Sequence, residues 1–299
     1  MNAAEPSEVS VVMASYNHGH FIAAAIESVL AQSVPNWELI IVDDGSTDSS
    51  QGIIQRYTEK DTRLRFFQHP YGANRGLPAT LRLGLDNVRG RYVAFLESDD
   101  AWRSNCLEKR LLRLRESGAD AVFNHIELMG DEAGKAGDLP LVEGVRERFR
   151  RYPANFYLGD KLFFVNVVPT FSCIMLKAEA LAEAALIPPV SRWLDWWLWL
   201  QVAATGRFTY LDESCTFWRR HGMSYNRKRD VRDYFNDSKA MWRAMRQAIP
   251  QWNGGRLQGL RSLPALPFYF YLLLRLGHMA GMNGPMGLTR RILSKFGFA

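Results

Sequence analysis

The chain has 299 residues, of which 47% are hydrophobic and 23% charged, and its formal net charge is +6. This composition is typical of a globular protein and excludes global disorder, and the length allows one large domain or one domain with an appendage. The three cysteines are widely spaced and odd in number, which argues against a disulfide framework or a zinc site.

Strands and helices are predicted to alternate through about the first 125 residues. Between successive apolar runs, apolar side chains recur at helical spacing, as in Ile22, Ile26 and Val29. Such alternation is typical of an α/β protein with a mostly parallel central sheet flanked by helices, in which ligands bind outside the carboxyl ends of the strands. The predicted strands cover residues 9–14, 37–42, 64–68 and 92–96.

Polar residues cluster where three of these strands end. Ser15-Tyr16-Asn17 follows the first strand, Asp43-Asp44 follows the second, and Glu97-Ser98-Asp99-Asp100 follows the fourth. Because the carboxyl ends of parallel strands meet at one edge of a sheet, a single site built by three loops explains all three clusters.

The acidic segment 97–100 is the most informative of the three. Carboxylates placed close together repel one another unless a cation compensates their charge, and Mg²⁺ is typically held by one or two carboxylates together with the phosphates of a substrate. The alternative is a solvated turn that caps the following helix. The two other polar clusters at the same edge favour the metal site.

Four segments, in this order and spacing, resemble the motifs of glycosyltransferase family 2: Val-Ser-Val-Val-Met-Ala-Ser-Tyr-Asn, Ile-Ile-Val-Asp-Asp-Gly-Ser-Thr-Asp, Asn-Arg-Gly-Leu and Phe-Leu-Glu-Ser-Asp-Asp. The resemblance is close from about residue 8 to 115 and looser to about 225. It implies the GT-A fold and transfer of a sugar from a nucleotide diphosphate donor with inversion. We expect a catalytic domain over 1–225, with a nucleotide-sugar half at 8–125 and an acceptor half at 126–225, and a helical extension over 226–299.

The resemblance also implies roles for residues at matching positions. Tyr16 would pack on the nucleotide base and Asp44 would accept a hydrogen bond from the base imide, which favours a UDP- or dTDP-sugar over a GDP-sugar. Arg75 would approach the nucleotide. Asp99 would contact ribose or a divalent ion, Mn²⁺ or Mg²⁺, and Asp100 would bind that ion, although the sequence leaves the division of roles between the carboxylates open. The other predicted nucleotide-sugar contacts in this half are Ala14, Ser15, Glu97 and Ser98.

An aromatic helix is predicted around residues 193–200, with a single carboxylate, Asp195, in its first turn. A carboxylate in that position ordinarily interacts with the helix dipole. The segment is similar to the Glu-Asp-Trp that the family often carries here, which implies that Asp195 is the general base. Leu194 stands where the family has Glu, so one acceptor contact or supporting partner is missing.

The segment 217–224 resembles the family's Tyr-Arg-x-His-x-x-Ser, with His221 and Ser224 at the matching positions. A lone histidine is more often structural than a ligand, but the resemblance implies that His221 approaches the metal and the diphosphate. Arg219 and Arg220 are predicted to bind the diphosphate as charged donors.

Other classes of function fit less well. A nucleotidyltransferase would need a glycine-rich basic loop after the first strand, and a dinucleotide-dependent oxidoreductase would need G-x-G-x-x-G; neither is present. A catalytically silent nucleotide-sugar or glycan-binding module is the main alternative, and the presence of Asp195 and His221 beside the acidic segment argues against it. The predicted acceptor is a glycan or a lipid-linked acceptor in surface polysaccharide biosynthesis.

All of the positive excess lies near the end of the chain. Residues 238–299 hold nine Lys or Arg and no Asp or Glu, whereas the first 237 residues carry 28 basic and 31 acidic side chains. The apolar run 263–274 is too short to span a membrane, which takes about 20 residues. It suits a segment lying on anionic lipid, or a helix packed on the catalytic domain with its basic residues in water.

Charges and aromatic residues are not interleaved in this stretch, so we do not expect nucleic-acid binding. No basic segment followed by an apolar run is visible near residue 1. We therefore expect a cytoplasmic location, or a peripheral one on the inner face of the cell membrane.

Overall fold

The computed structural model describes residues 7–130, 138–182, 184, 193–222 and 231–248. In the first half, buried apolar strands alternate with helices as the hydrophobic spacing predicts. The elements are β1 (Val9–Ser15), α1 (Ile22–Leu30), β2 (Trp37–Asp43), α2 (Ser50–Thr58), β3 (Leu64–Gln68), α3 (Leu77–Leu85) and β4 (Tyr92–Phe95), with a short 3₁₀ turn at Pro70–Gly72.

The second half adds strands of both directions and longer helices. Its elements are β5 (Ala101–Trp102), α4 (Cys106–Ser117), β6 (Ala121–Met129), α5 (Asp138–Phe149), α6 (Gly159–Leu162), β7 (Ile174–Lys177), α7 (Leu194–Thr205), β8 (Phe208–Arg219) and α8 (Val231–Ala248). Two further 3₁₀ turns lie at Phe171–Cys173 and Ala178–Leu181.

The described strands form one sheet in the order β3-β2-β1-β4-β7-β6-β8-β5. The first four are parallel to one another, β7 pairs antiparallel with both β4 and β6, and β8 runs parallel to β6. The chain therefore proceeds outward from β1 to β3 on one side and then crosses to β4 on the other. This reversal of strand order next to β1 is the point at which open α/β sheets bind ligands.

A hydrophobic core covers each face of the sheet. On one face, side chains of β1, β2 and β4 pack with α1 and α4. On the other face, side chains of β1 and β4 pack with the aromatic residues of the second half. Helix α7 is buried nearly all round, which accounts for its lack of a polar face. The α/β fold expected from the alternation of elements is confirmed.

The expected boundary near residue 225 falls before α8. Met241, Trp242 and Met245 of α8 are buried in the same core as α7. The first helix of the predicted extension therefore shares its hydrophobic core with the predicted catalytic domain. The basic and apolar stretch after residue 248 lies outside the described residues, and among those described no helix is long and apolar enough to cross a bilayer.

Two helical glycines give a matched test of how α3 packs on the sheet. A Cβ at Gly84 of α3 would lie 2.6 Å from Cγ1 of Val12 in β1, whereas a Cβ at Gly52 of α2 would meet nothing within 4 Å. We expect Gly84→Ala to lower the free energy of unfolding by roughly 1–3 kcal/mol through overpacking. Gly52→Ala should raise it by roughly 0.5–1 kcal/mol. Urea unfolding measures both, and equal effects of the two variants would contradict this packing.

Candidate active site

The loops after β1 and β2 are tied together at the predicted edge of the sheet. Asn17 takes a left-handed backbone conformation, with φ of 52°, and its side-chain oxygen accepts a hydrogen bond from the Thr47 N–H at 2.8 Å. The Asn17 N–H in turn donates to the Ser46 hydroxyl. Asp43 is fully buried and accepts hydrogen bonds from the Ser46 N–H and hydroxyl, so its role is to shape this loop.

Asp44 joins the second strand end to the loop before α3. Its carboxylate accepts the N–H of Arg75 at 2.7 Å and the N–H of Gly76 at 2.9 Å, while its own N–H donates to the Ser15 carbonyl. The Arg75 side chain is exposed, and Tyr16 is 47% exposed beside the same strand ends. Asp44 thus fixes the backbone of a loop that presents Arg75.

Ala14 and Ser15 lie at the end of β1. Ala14 is half-buried, and Ser15 is buried, with a hydroxyl that has no hydrogen-bond partner in the described part of the chain. Both sit at the edge where the polar loops meet, as the sequence predicts. Their contacts to a nucleotide stay predictions.

Asp100 lies deeper than its predicted role as a metal ligand suggests. It is 1% exposed, and its carboxylate accepts the Ser172 hydroxyl at 2.6 Å and the Arg219 N–H at 2.8 Å. Burial, together with the charges of Asp99 and Glu97, raises the pKa of Asp100 well above its usual range. This carboxylate connects the acidic segment to the turn at residues 171–173 and to the end of β8.

Glu97 faces the second half of the chain. Its carboxylate accepts the hydroxyl of Thr170, and its N–H donates to the Ser172 hydroxyl at 2.9 Å. Burial, followed by the negative charge of Asp99 and then that of Asp195, raises the pKa of Glu97 to about 8. A nearby cation would relieve this repulsion, as the acidic segment predicts.

Asp99 and His221 come together with a third residue, His18, that the sequence analysis did not select. One potential ligand atom from each of the three lies within 4.8 Å of the other two. His221 Nε2 is 2.9 Å from Asp99 Oδ2, and the two side chains are 10% and 18% exposed. Asp100 lies outside this group.

The donor set of this group fits a divalent ion. A carboxylate and two imidazoles, close together and partly buried, are ligands that divalent metals accept. Burial lowers the pKa of His18 and outweighs the opposing negative charge of Asp99, so the neutral imidazole that binds metals is favoured. Of the three predicted metal ligands, Asp99, Asp100 and His221, the fold brings Asp99 and His221 into direct contact.

Two arginines, Arg219 at the end of β8 and Arg220 next to it, precede His221 and have different surroundings. Arg219 Nε donates to the Asp99 carbonyl at 2.7 Å, and its guanidinium lies 5.2 Å from the ring centroid of Phe21. Arg220 lies over the ring of Trp218 instead. Arg219 therefore borders the acidic segment. Ser224, three residues after His221, is outside the described residues.

Asp195 stands in the first turn of α7, at the position predicted from the aromatic segment. Asn166 Nδ2 donates to Asp195 Oδ2 at 2.6 Å, which orients the carboxylate. The charge of Asp195 acts on Glu97, so the two carboxylates share one region of the site. The helix begins after Trp193, whose φ of 64° turns the chain sharply into α7.

The 3₁₀ turn at residues 171–173 supports the acidic segment, and no local signal in the sequence identifies it. Thr170 and Ser172 supply the hydroxyls that contact Glu97 and Asp100. The Ser172 carbonyl accepts a hydrogen bond from the fully buried guanidinium of Arg110 at 2.6 Å. Thr170 and Ser172 are about seventy residues from the acidic segment in the chain, which is why spacing alone does not reveal them.

The sequence profile of glycosyl transferase family 2 matches residues 10–184, which is more than half of the chain. The chain belongs to glycosyl transferase family 2. The resemblance seen in the four sequence segments is thereby confirmed, and the protein is a glycosyltransferase. TuaG of Bacillus subtilis, a glycosyltransferase provisionally assigned to teichuronic acid biosynthesis, is 32% identical over 69% of this chain and 76% of its own.

Solved structures agree with this family 2 assignment at the level of the fold. S. aureus TarS 1–349 in complex with UDP-GlcNAc gives a TM-score of 0.63 at 15% identity, covering 93% of this chain and 82% of that one. The mannosyltransferase PcManGT of Pyrobaculum calidifontis, in complex with GDP-Man and Mn²⁺, gives 0.57 at 15% identity, covering 98% and 80%. The GT-A fold of this glycosyltransferase is therefore confirmed.

Proposed function

We propose that this glycosyltransferase is metal-dependent and inverting, and that it moves a sugar from a nucleotide diphosphate donor to a hydroxyl of a glycan or lipid-linked acceptor in surface polysaccharide biosynthesis. The observation that carries the proposal is the meeting of Asp99 and His221 at the acidic strand end, with Asp195 close enough for its charge to act on Glu97. A metal-ligand group and an oriented carboxylate are the two parts that such a transfer requires.

Asp99 and His221 would hold the divalent ion, Mn²⁺ or Mg²⁺. When bound, the ion supplies positive charge that stabilises the departing nucleoside diphosphate. Arg219, beside Asp99, and Arg220 add charged donors for the diphosphate oxygens. Mn²⁺ in the complex of PcManGT supports the presence of such an ion in this fold.

Asp195 accepts the proton of the acceptor hydroxyl as its oxygen attacks the anomeric carbon. Asn166 holds the carboxylate in one orientation, so it is aimed before the acceptor arrives. Inversion follows from a single displacement, because the oxygen enters on the face opposite the leaving diphosphate. A single displacement needs no enzyme nucleophile.

The donor is proposed to be a UDP- or dTDP-sugar. Tyr16, which is exposed at the strand ends, would pack on the base, and Asp44 lies buried beside the loop that presents Arg75. The two solved neighbours bind a UDP-sugar and a GDP-sugar, so the fold itself does not choose the base. Release of nucleoside diphosphate from a panel of nucleotide sugars is the reaction to assay, and it should require a divalent ion.

A peripheral location at the inner face of the membrane belongs to the same proposal. An acid-free stretch with nine basic residues attracts anionic headgroups, at about 1 kcal/mol for each Lys or Arg that reaches the surface. We expect sedimentation with anionic vesicles that salt weakens but does not abolish, because buried apolar side chains add an unscreened contribution. A chain truncated after residue 261 should lose sedimentation. Absence of vesicle binding by the full chain at low salt would contradict the membrane role.

A further inference from the structure

His18 lies in the loop between β1 and α1 and faces the same small space as Asp99 and His221. We propose that His18 is a third protein ligand of the divalent ion and that it makes the site prefer a transition-metal ion such as Mn²⁺ to Mg²⁺. This inference rests on the proposed metal dependence. The proposed function does not distinguish Mn²⁺ from Mg²⁺ as the bound ion, and this inference does.

The His18 ring is held from one side by a buried hydroxyl. His18 Nδ1 is 2.7 Å from Ser98 Oγ, and Ser98 is almost fully buried. With Nδ1–H donating to Ser98, Nε2 carries the lone pair and is the nitrogen left for a metal. Metal-binding histidines characteristically use their second ring nitrogen in this way, which fixes both the tautomer and the ring orientation.

The backbone around His18 is fixed as well. The His18 N–H donates to the Ser50 hydroxyl at 3.1 Å, and the Gly19 N–H donates to Asp48 Oδ2 at 2.8 Å. A Cβ at Gly19 would lie only 2.4 Å from Ser49 Oγ, so the loop passes close to the start of α2. The imidazole is therefore held in place before any ion binds.

Two nitrogen ligands change which ion the site prefers. Mg²⁺ selects oxygen ligands and gives up its water reluctantly, whereas first-row transition metals accept imidazole, with Mn²⁺ the weakest binder of the series. A site with one carboxylate and one imidazole would have little preference between Mg²⁺ and a transition-metal ion. A second imidazole, from His18, shifts the preference of the site toward transition-metal ions such as Mn²⁺ and Co²⁺.

Binding of the metal alone to the full chain tests the proposal without relying on turnover. Free Mn²⁺ is measured by electron paramagnetic resonance during titration, and Mg²⁺ is then added as a competitor. The variants are His18→Gln, Asp99→Asn, and His20→Gln as the matched control. His20 is an exposed histidine two positions away that is not part of the group. Circular dichroism and thermal unfolding establish that each variant is folded.

We expect wild type and His20→Gln to bind one Mn²⁺ that Mg²⁺ displaces only at large excess. His18→Gln should weaken Mn²⁺ binding about tenfold or more, while Mg²⁺ binding changes little, so that the preference between the ions shrinks. If His18→Gln binds Mn²⁺ like wild type while Asp99→Asn does not, His18 is no ligand and the proposed function stands. If wild type binds no Mn²⁺, or Asp99→Asn binds it equally well, the metal dependence itself fails.

Discussion

Asp195→Asn is expected to lower the rate of sugar transfer by about 10² to 10⁴ while leaving donor binding nearly unchanged. The amide cannot accept the proton of the acceptor hydroxyl, and the loss of one general base is typically worth that much. Asn166, which donates to Asp195 Oδ2, can still donate to the amide oxygen, so the side chain should keep its orientation. Initial rates measure the transfer step, and calorimetry with the nucleoside diphosphate measures donor-site binding.

Asp86→Asn is the control for this change. Asp86 follows α3, its side chain is 57% exposed, and it pairs only with Arg82 among the described ion pairs, so its variant should transfer at the wild-type rate. Collapse of nucleotide affinity in Asp195→Asn would assign Asp195 to the donor site. Full transfer activity would show that another group accepts the proton.

Asp99→Asn is expected to remove metal-dependent turnover, by about a thousandfold or more, and to leave the fold intact. Metal stabilisation of a departing oxygen is worth several kcal/mol, and each 1.36 kcal/mol is about tenfold in rate. The Asp99 side chain contacts His221 and reaches solvent, so its neutralisation costs the fold little. Assays over a range of Mn²⁺ concentrations measure the loss, and thermal unfolding checks the fold.

Asp100→Asn provides the contrast, because Asp100, unlike Asp99, is almost fully buried and hydrogen-bonded within the protein. An amide there would turn two of its hydrogens toward donors such as the Ser172 hydroxyl or the Arg219 N–H. We expect it to destabilise the fold by about 1–3 kcal/mol. If Asp100→Asn instead loses Mn²⁺ binding at unchanged stability, Asp100 is the direct ligand that the family position implies.

The first half of the fold could be predicted because its signals are local. The four predicted strands match β1 to β4 within one residue at each end. Three of them, β1, β2 and β4, are buried apolar runs, whereas β3 is shorter and only partly buried. The insertion of β7 between β4 and β6 could not be predicted, because antiparallel pairing over eighty residues leaves no periodic signature in either segment.

The candidate site divides in the same way. Asp99 lies in one of the four segments that resemble the family, Asp195 and His221 lie where the resemblance is looser, and the fold brings Asp99 and His221 into contact. His18 follows a strand end that the sequence analysis did select, yet the sequence does not show that its side chain faces Asp99 and His221. Thr170 and Asn166 lie where the family resemblance is looser, so their contacts with Glu97 and Asp195 emerge only from the fold.

The central claim is a metal-dependent transfer from a nucleotide sugar. Its most direct measurement is release of nucleoside diphosphate from a panel of UDP-, dTDP- and GDP-sugars, in Mn²⁺ and in EDTA, by the wild-type chain and Asp99→Asn. The account predicts release from at least one UDP- or dTDP-sugar in Mn²⁺, and background release in EDTA or by the variant. Equal release in EDTA, or wild-type release by Asp99→Asn, would contradict it.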